Sequence, residues 1–179
     1  MKNLRTGMLL GAALLATQAG FANHADGKSG TAKLESKVRR ELVMLPFYSL
    51  FDQLSFRLDG DTVTLIGKVS RPTLKSDAEG AVKQIEGVLR VDNQIEVLPL
   101  SPNDDRLRRA LFASIYGHST LQTLAIRAIP PIHIIVRDGH VTLEGVVGSE
   151  MQKNIAGVQA NTVSGVFSVT NNLRVDSGS

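Results

Sequence analysis

The residues with the most pointed chemistry lie in one stretch, Arg106-Leu107-Arg108-Arg109-Ala110-Leu111-Phe112-Ala113-Ser114-Ile115-Tyr116. At about 100° per residue, with Leu107 at zero, Leu107, Leu111 and Ile115 span about 0° to 80° of a helix, whereas Phe112, Tyr116 and Arg109 fall at about 140° to 200°. Arg106 and Arg108 flank that second face. An upstream segment places Val43 and Arg40 at the positions of Phe112 and Arg109, with Met44 beside them at about 240°. Aromatic bodies beside arginines suit a membrane interface, where rings enter the headgroup zone and guanidinium groups meet anionic lipid. The same arrangement suits packing against a neighbouring module equally well. Basic residues near an anionic surface contribute about 1 kcal/mol each, so three arginines give roughly 3 kcal/mol. Appreciable binding therefore also needs buried apolar area, for which Leu121, Leu124 and Ile126 stand just downstream. The expected lipid or partner contact set is Arg106, Arg108, Arg109, Phe112, Tyr116, Leu121 and Leu124.

Nothing comparable points to catalysis. His24, His118, His133 and His140 lack the helical spacing of a metal pair, and His133 alternates with Ile132 and Ile134 as an ordinary strand residue would. No nucleophile elbow, phosphate-cradling loop or dinucleotide fingerprint occurs. The chain contains no cysteine, which removes disulfides, thiolate chemistry, Cys-based zinc sites and an N-terminal lipid anchor. Asn93 and Asn171 sit on apolar strand faces, where a side-chain amide satisfying a backbone group is the plainer role. No catalytic residue, cofactor, metal or small-molecule substrate is expected; a hydrolase built on His118, His133 and His140 is the least favoured reading.

The elements that must position these residues are written twice. An offset of 78 aligns Val63 to Val97 with Val141 to Val175 without a gap and with twelve identities, against roughly two or three by chance. Upstream the offset is 69, pairing Arg39-Arg40-Glu41-Leu42 with Arg108-Arg109-Ala110-Leu111, so the second copy carries nine extra residues near His118 to Pro131. That insertion reads as a short helix over Thr120 to Ala128 or as an apolar loop ending at Pro130-Pro131. Each copy opens with an amphipathic helix, through Leu34, Val38, Leu42 and Leu45 or through Leu107, Leu111 and Ile115. Two strands follow, Leu54 to Leu58 with Thr62 to Val69, and Ile132 to Val136 with Val141 to Val147, each pair joined at an Asp-Gly turn. A second helix carries Leu74, Ala78, Val82 and Ile85, or Met151, Ile155 and Val158, and Gly87 and Gly165 fit left-handed caps at its end. A last strand alternates Val91, Asn93, Ile95 and Val97, or Val169, Asn171, Leu173 and Val175.

The expected fold is α+β: two tandem α-β-β-α-β modules, each a three-stranded sheet with two helices on one face. The boundaries are 34–100 and 101–176, with 177–179 as a tail and 23–33 as a flexible lead. The linker is short, so the copies should touch. Residues 1–22 read as a signal peptide: Lys2 and Arg5, an apolar centre from Met8 to Ala16, and Gly20-Phe21-Ala22 as a cleavage site. The remainder has 18 basic and 17 acidic residues, a net charge of +1, which argues against a nucleic-acid partner needing a broad basic stripe.

The α-β-β-α-β order, the strand Val63-Thr64-Leu65-Ile66-Gly67-Lys68-Val69 with its copy Val141-Thr142-Leu143-Glu144-Gly145-Val146-Val147, and the endings Gly87-Val88-Leu89-Arg90-Val91-Asp92-Asn93 and Gly165-Val166-Phe167-Ser168-Val169-Thr170-Asn171 resemble the BON domain. That family is named for bacterial osmotically induced and nodulation proteins. The resemblance implies a non-enzymatic periplasmic protein, peripheral to the outer membrane, that attaches to phospholipid and supports the envelope under osmotic stress. It implies no catalytic or ligand residues, since its glycines and valines determine the fold. The expected partner is an anionic phospholipid surface; the alternative is another envelope protein bound without lipid contact.

Overall fold

The computed structural model describes residues 24–176. The expected signal peptide at 1–22 and the tail at 177–179 lie outside the described residues. The first module begins with α1 (His24–Val43), followed by the strands β1 (Gln53–Asp59) and β2 (Thr62–Val69), helix α2 (Pro72–Lys83) and strand β3 (Arg90–Val97). The second repeats this with α3 (Pro102–Gly117), a 3-10 turn at Gln122–Ile126, β4 (Ile132–Arg137), β5 (His140–Val147), α4 (Glu150–Asn161), and the short strands β6 (Ser168–Asn171) and β7 (Arg174–Val175). From His24 onward the lead belongs to α1. Its apolar stripe begins only at Leu34, so the earlier turns carry no core signal that periodicity could read.

In each sheet the central strand pairs antiparallel with the first strand and parallel with the last. The hairpins have two-residue turns, closed by Asp59 opposite Thr62 and by Arg137 opposite His140. Gly60 alone takes a positive φ in the first turn, as in a type II′ turn, whereas Asp138 and Gly139 both do so in the second, as in type I′. The central strand, second helix and last strand then form a parallel crossover, which lays both helices over one sheet face. β6 and β7 both pair with β5, so together they occupy the place that the unbroken β3 holds in the first module.

Two separate cores result. One gathers Val38, Leu42, Val63, Leu65, Val69, Leu74, Ala78, Val82 and Ile95; the other gathers Leu107, Leu111, Ile115, Ile134, Val136, Val141, Leu143, Ala156, Ala160 and Leu173. The expected strand faces are therefore the buried ones. Of the expected α4 stripe, Ile155 packs half-buried against the core, whereas Met151 and Val158 are exposed and Ala156 and Ala160 face the core. Those alanines stand at the repeat positions of Ala78 and Val82, so topology overrides side-chain size. Gly87 and Gly165 do have positive φ, but they lie beyond the helix ends, in the turns leading to the last strands. The capping residues are Gln84 and Thr162 in ordinary helical geometry.

Two repeated residues explain much of the sequence match. Gly67 and Gly145 have φ of 146° and 127°, and a Cβ there would lie 2.0 Å from the Gln53 carbonyl oxygen and 1.9 Å from that of Pro131. No other residue fits either place. Asn93 and Asn171 donate through Nδ2 to the carbonyls of Lys75 and Lys153, at 2.9 and 2.8 Å, and each accepts from the backbone N–H two residues on. Each amide thus ties the last strand to the second helix, the backbone role read from their apolar setting.

Candidate functional site

Helix α3 carries most of the expected contact set, and its own N-terminus fixes its orientation. Ser101 Oγ accepts from the Asp104 N–H, and the Asp104 carboxylate, almost wholly buried, accepts from the Asp138 and Gly139 N–H groups at 2.9 and 3.0 Å. The start of the helix is thereby pinned to the β4–β5 turn. With α3 held this way, Arg106, Arg109 and Phe112 remain exposed. Phe112 is 38% exposed, and its ring lies 5.3 Å from that of Tyr116.

Three of the expected contact residues face inward instead. Arg108 stands only about 20° beyond Ile115 on the helical wheel, at the margin of the core stripe. Its side chain is 6% exposed, with Nη1 on Asp105 at 2.5 Å and Nη2 on the Val136 carbonyl at 2.7 Å. Tyr116 is covered by the insertion: its hydroxyl donates to the Ile132 carbonyl at 2.8 Å and accepts from the Ile132 N–H at 2.9 Å. Burial pushes its phenol well above the ordinary range. Leu121 is fully buried in the second core and Leu124 packs half-buried against it, while Ile126 is exposed. The insertion is thus a 3-10 turn that closes the core, rather than a free apolar loop.

The modules meet along a seam that sequence periodicity does not mark. The Ile134 N–H, on the free edge of β4, donates to the Leu50 carbonyl at 2.7 Å, and Leu50 and Phe51 pack against the second core. His133 Nδ1 lies 2.6 Å from the Asp52 carbonyl. A carbonyl only accepts, so Nδ1 carries the proton. The Tyr48 ring centroid is 5.8 Å from the imidazole, and Arg137 pairs with Glu96 across the modules. Burial holds His133 below its ordinary pKa, against the Asp52 carbonyl and the Asp52 and Glu144 carboxylates. Burial likewise pushes Tyr48 up to about 12. The segment is anchored by Asp52, fully buried, which accepts from the N–H and hydroxyl groups of both Ser49 and Ser70. One signal could have found it: Phe47, Tyr48 and Phe51 are three of the eight Phe and Tyr residues in the chain, outside any periodic element.

Two clefts flank the seam. The larger, about 860 Å³, has a mixed wall with Arg39, Arg57 and Arg174 among Glu35, Asp59 and Glu144. The other, about 530 Å³, brings together Arg71, Arg108 and Arg109, with Asp105 the one acid on its wall and Phe47, Phe51 and Leu100 as apolar lining. His118, His133 and His140 do not converge: His118 Nδ1 accepts from Thr120 N–H, His140 meets Ser168, and His133 lies in the seam. Among the described residues no helix is long and apolar enough to cross a membrane.

The family model described as BON domain matches residues 30–99 and 103–177. Osmotically-inducible protein Y of Escherichia coli (strain K12) is 32% identical over 132 residues, covering 68% of this chain. The chain spans 61% of that relative's length. Two solved structures of CdsD, a structural protein of the type III secretion system of Chlamydia trachomatis, are 14% identical, with TM-scores of 0.29. They cover 79% and 80% of this chain, and 96% and 92% of their own. That likeness is too slight to bear on fold or function.

Proposed function

This chain belongs to the BON domain family, and from that premise we propose that it is a non-enzymatic periplasmic protein that associates reversibly with anionic phospholipid and supports the envelope under osmotic stress. The observation carrying this reading is the outer side of α3, where Arg106 and Arg109 stand exposed beside Phe112. Across the narrower cleft, Phe47 and Leu100 are 67% and 91% exposed. Arginines beside exposed apolar groups match the headgroup zone, which takes both charge and ring. The likeness to an osmotically inducible protein agrees with an envelope role. Charge alone supplies about 1 kcal/mol per arginine, so binding depends on Phe112 and its apolar neighbours as well.

Pelleting the purified protein with zwitterionic and anionic vesicles across a salt series tests the proposal. Selective recovery with anionic vesicles, only partly reversed by salt, is the expected result. Equal absence from both pellets overturns it.

A second reading, docking on another envelope protein without lipid contact, is favoured by a separate observation. Leu89 and Phe167, at equivalent positions of the two modules, are 82% and 80% exposed. Crosslinking in cell envelopes that traps one protein through these positions, with vesicles giving no signal, would select this alternative.

A further inference from the structure

We propose that the narrower inter-module cleft is a binding site for a phosphate ester, held by Arg71 of the first module and Arg109 of the second over the buried Arg108. This deepens the lipid reading and in part rests on it, since a phospholipid headgroup is one carrier of that ester.

The cleft is about 530 Å³, within the size range of small-ligand sites and too small for a folded partner. Its charges are unequally answered. Asp105 is taken by Arg108, and Asp52, behind the wall, is met by four donors from Ser49 and Ser70. Arg71 and Arg109 make no ion pair among the described residues. Arg108 is nearly buried, and its Nε has no hydrogen-bond partner among the described residues, so the cleft floor holds a cation short of one acceptor. An anion between the exposed arginines offsets a field that the protein leaves open.

The geometry at the mouth favours an anion on an apolar carrier. The Arg71 guanidinium lies 5.0 Å from the centroid of the Phe47 ring. A cation–π contact of this kind does not consume the guanidinium N–H donors, which can serve an oxyanion. Phe47 is held there at a φ of 66°, a left-handed conformation that costs a non-glycine residue energy. At the repeat position in the second module stands Tyr116, turned into the core. Phe47 is instead turned out beside Leu100, giving a hydrocarbon tail an apolar exit. Arg71 also departs from its repeat partner: Ser149 caps α4 by accepting from the Gln152 N–H, whereas Arg71 makes no side-chain cap on α2.

The test is calorimetric titration of the purified protein with glycerol phosphate and, separately, with dihexanoylphosphatidylglycerol below its micelle concentration. Saturable one-to-one binding is expected, weakened roughly tenfold or more by Arg71→Ser and by Arg109→Gln. Arg57→Gln, an exposed charge in the other cleft, should leave it unchanged. A retained or raised Tm for Arg71→Ser shows that the variant is folded. Equal weakening by Arg57→Gln, or no binding of either probe, overturns the site.

Vesicle pelleting separates this proposal from the membrane reading. Vesicle binding that survives Arg71→Ser but fails in Phe112→Glu keeps the membrane association and discards the cleft. Glycerol phosphate binding without vesicle recovery keeps the cleft as a site for free phosphate esters and discards the membrane.

Discussion

The two modules share the α-β-β-α-β order yet fill their cores with different residues. In the first, α2 delivers Leu74, Ala78 and Val82 to the interior, and the turn after it adds Ile85. The matching positions hold Gln152, Ala156 and Ala160 on α4 and Val163 in the turn after it, of which only the alanines are fully buried. The second core instead includes Leu121 of the insertion together with Tyr116 and Ile132, which are hydrogen-bonded to each other. A similar exchange occurs at the first helix. Arg108 is buried and bonded to β4, whereas its counterpart Arg39 lies exposed with its guanidinium 5.9 Å from the Phe56 ring centroid. One fold thus tolerates relocation of bulk between elements, provided that the glycine of the central strand and the asparagine of the last strand stay in place. The first module has no counterpart of that insertion, and its Phe47 and Arg71 face solvent.

The comparison is tested most severely at the shared glycines. Gly67→Ala and Gly145→Ala each force a Cβ against a backbone carbonyl, and each should cost more than about 4 kcal/mol, seen as loss of a thermal transition. A near-neutral result at either would mean that the repeat is only a sequence likeness. The next largest difference is expected between Tyr116→Phe and Phe47→Leu. The first strands the Ile132 N–H and carbonyl in a buried site, at about 1–3 kcal/mol, while the second should stay within about 0.5 kcal/mol by urea denaturation.

The seam between the modules should respond to acid. The folded protein holds His133 below its ordinary pKa, so the unfolded chain binds the proton more tightly. Stability is therefore complete above the ordinary imidazole value of about 6.5 and declines as pH falls from there towards the folded value. His133→Gln should flatten that slope in chemical denaturation at stepped pH; an unchanged slope assigns the effect to other groups. One expected effect is a gain: Arg71→Ser gives α2 the serine cap that α4 has, adding about 0.5–1 kcal/mol in thermal melts.

The fold was legible because two periods were written twice in one chain. The alternation from Val63 to Val69 and from Val141 to Val147 marks the central strands without reference to anything distant. The site was less legible. Burial of Tyr116 depends on Ile132, 16 residues on, and burial of Arg108 on Val136, 28 residues on, so a helical wheel alone turned both outward. The face retained Arg106, Arg109 and Phe112. On α4 apolar character marks Met151 and Val158, whereas repeat position marks Ala156 and Ala160, which are the buried pair. The seam was out of reach for the same kind of reason: His133 and Asp52 meet across 81 residues, and neither belongs to a pattern that announces the other.

The central claim is that the chain folds as two units with separate cores, joined by the 48–52 segment. A residue-resolved amide NMR spectrum of Gly145→Ala tests it most directly. The expected spectrum keeps dispersed signals over 30–99 and collapses them over 101–176, with intermediate changes confined to the seam. Simultaneous loss of dispersion along the whole chain would contradict the account and show one continuous cooperative core.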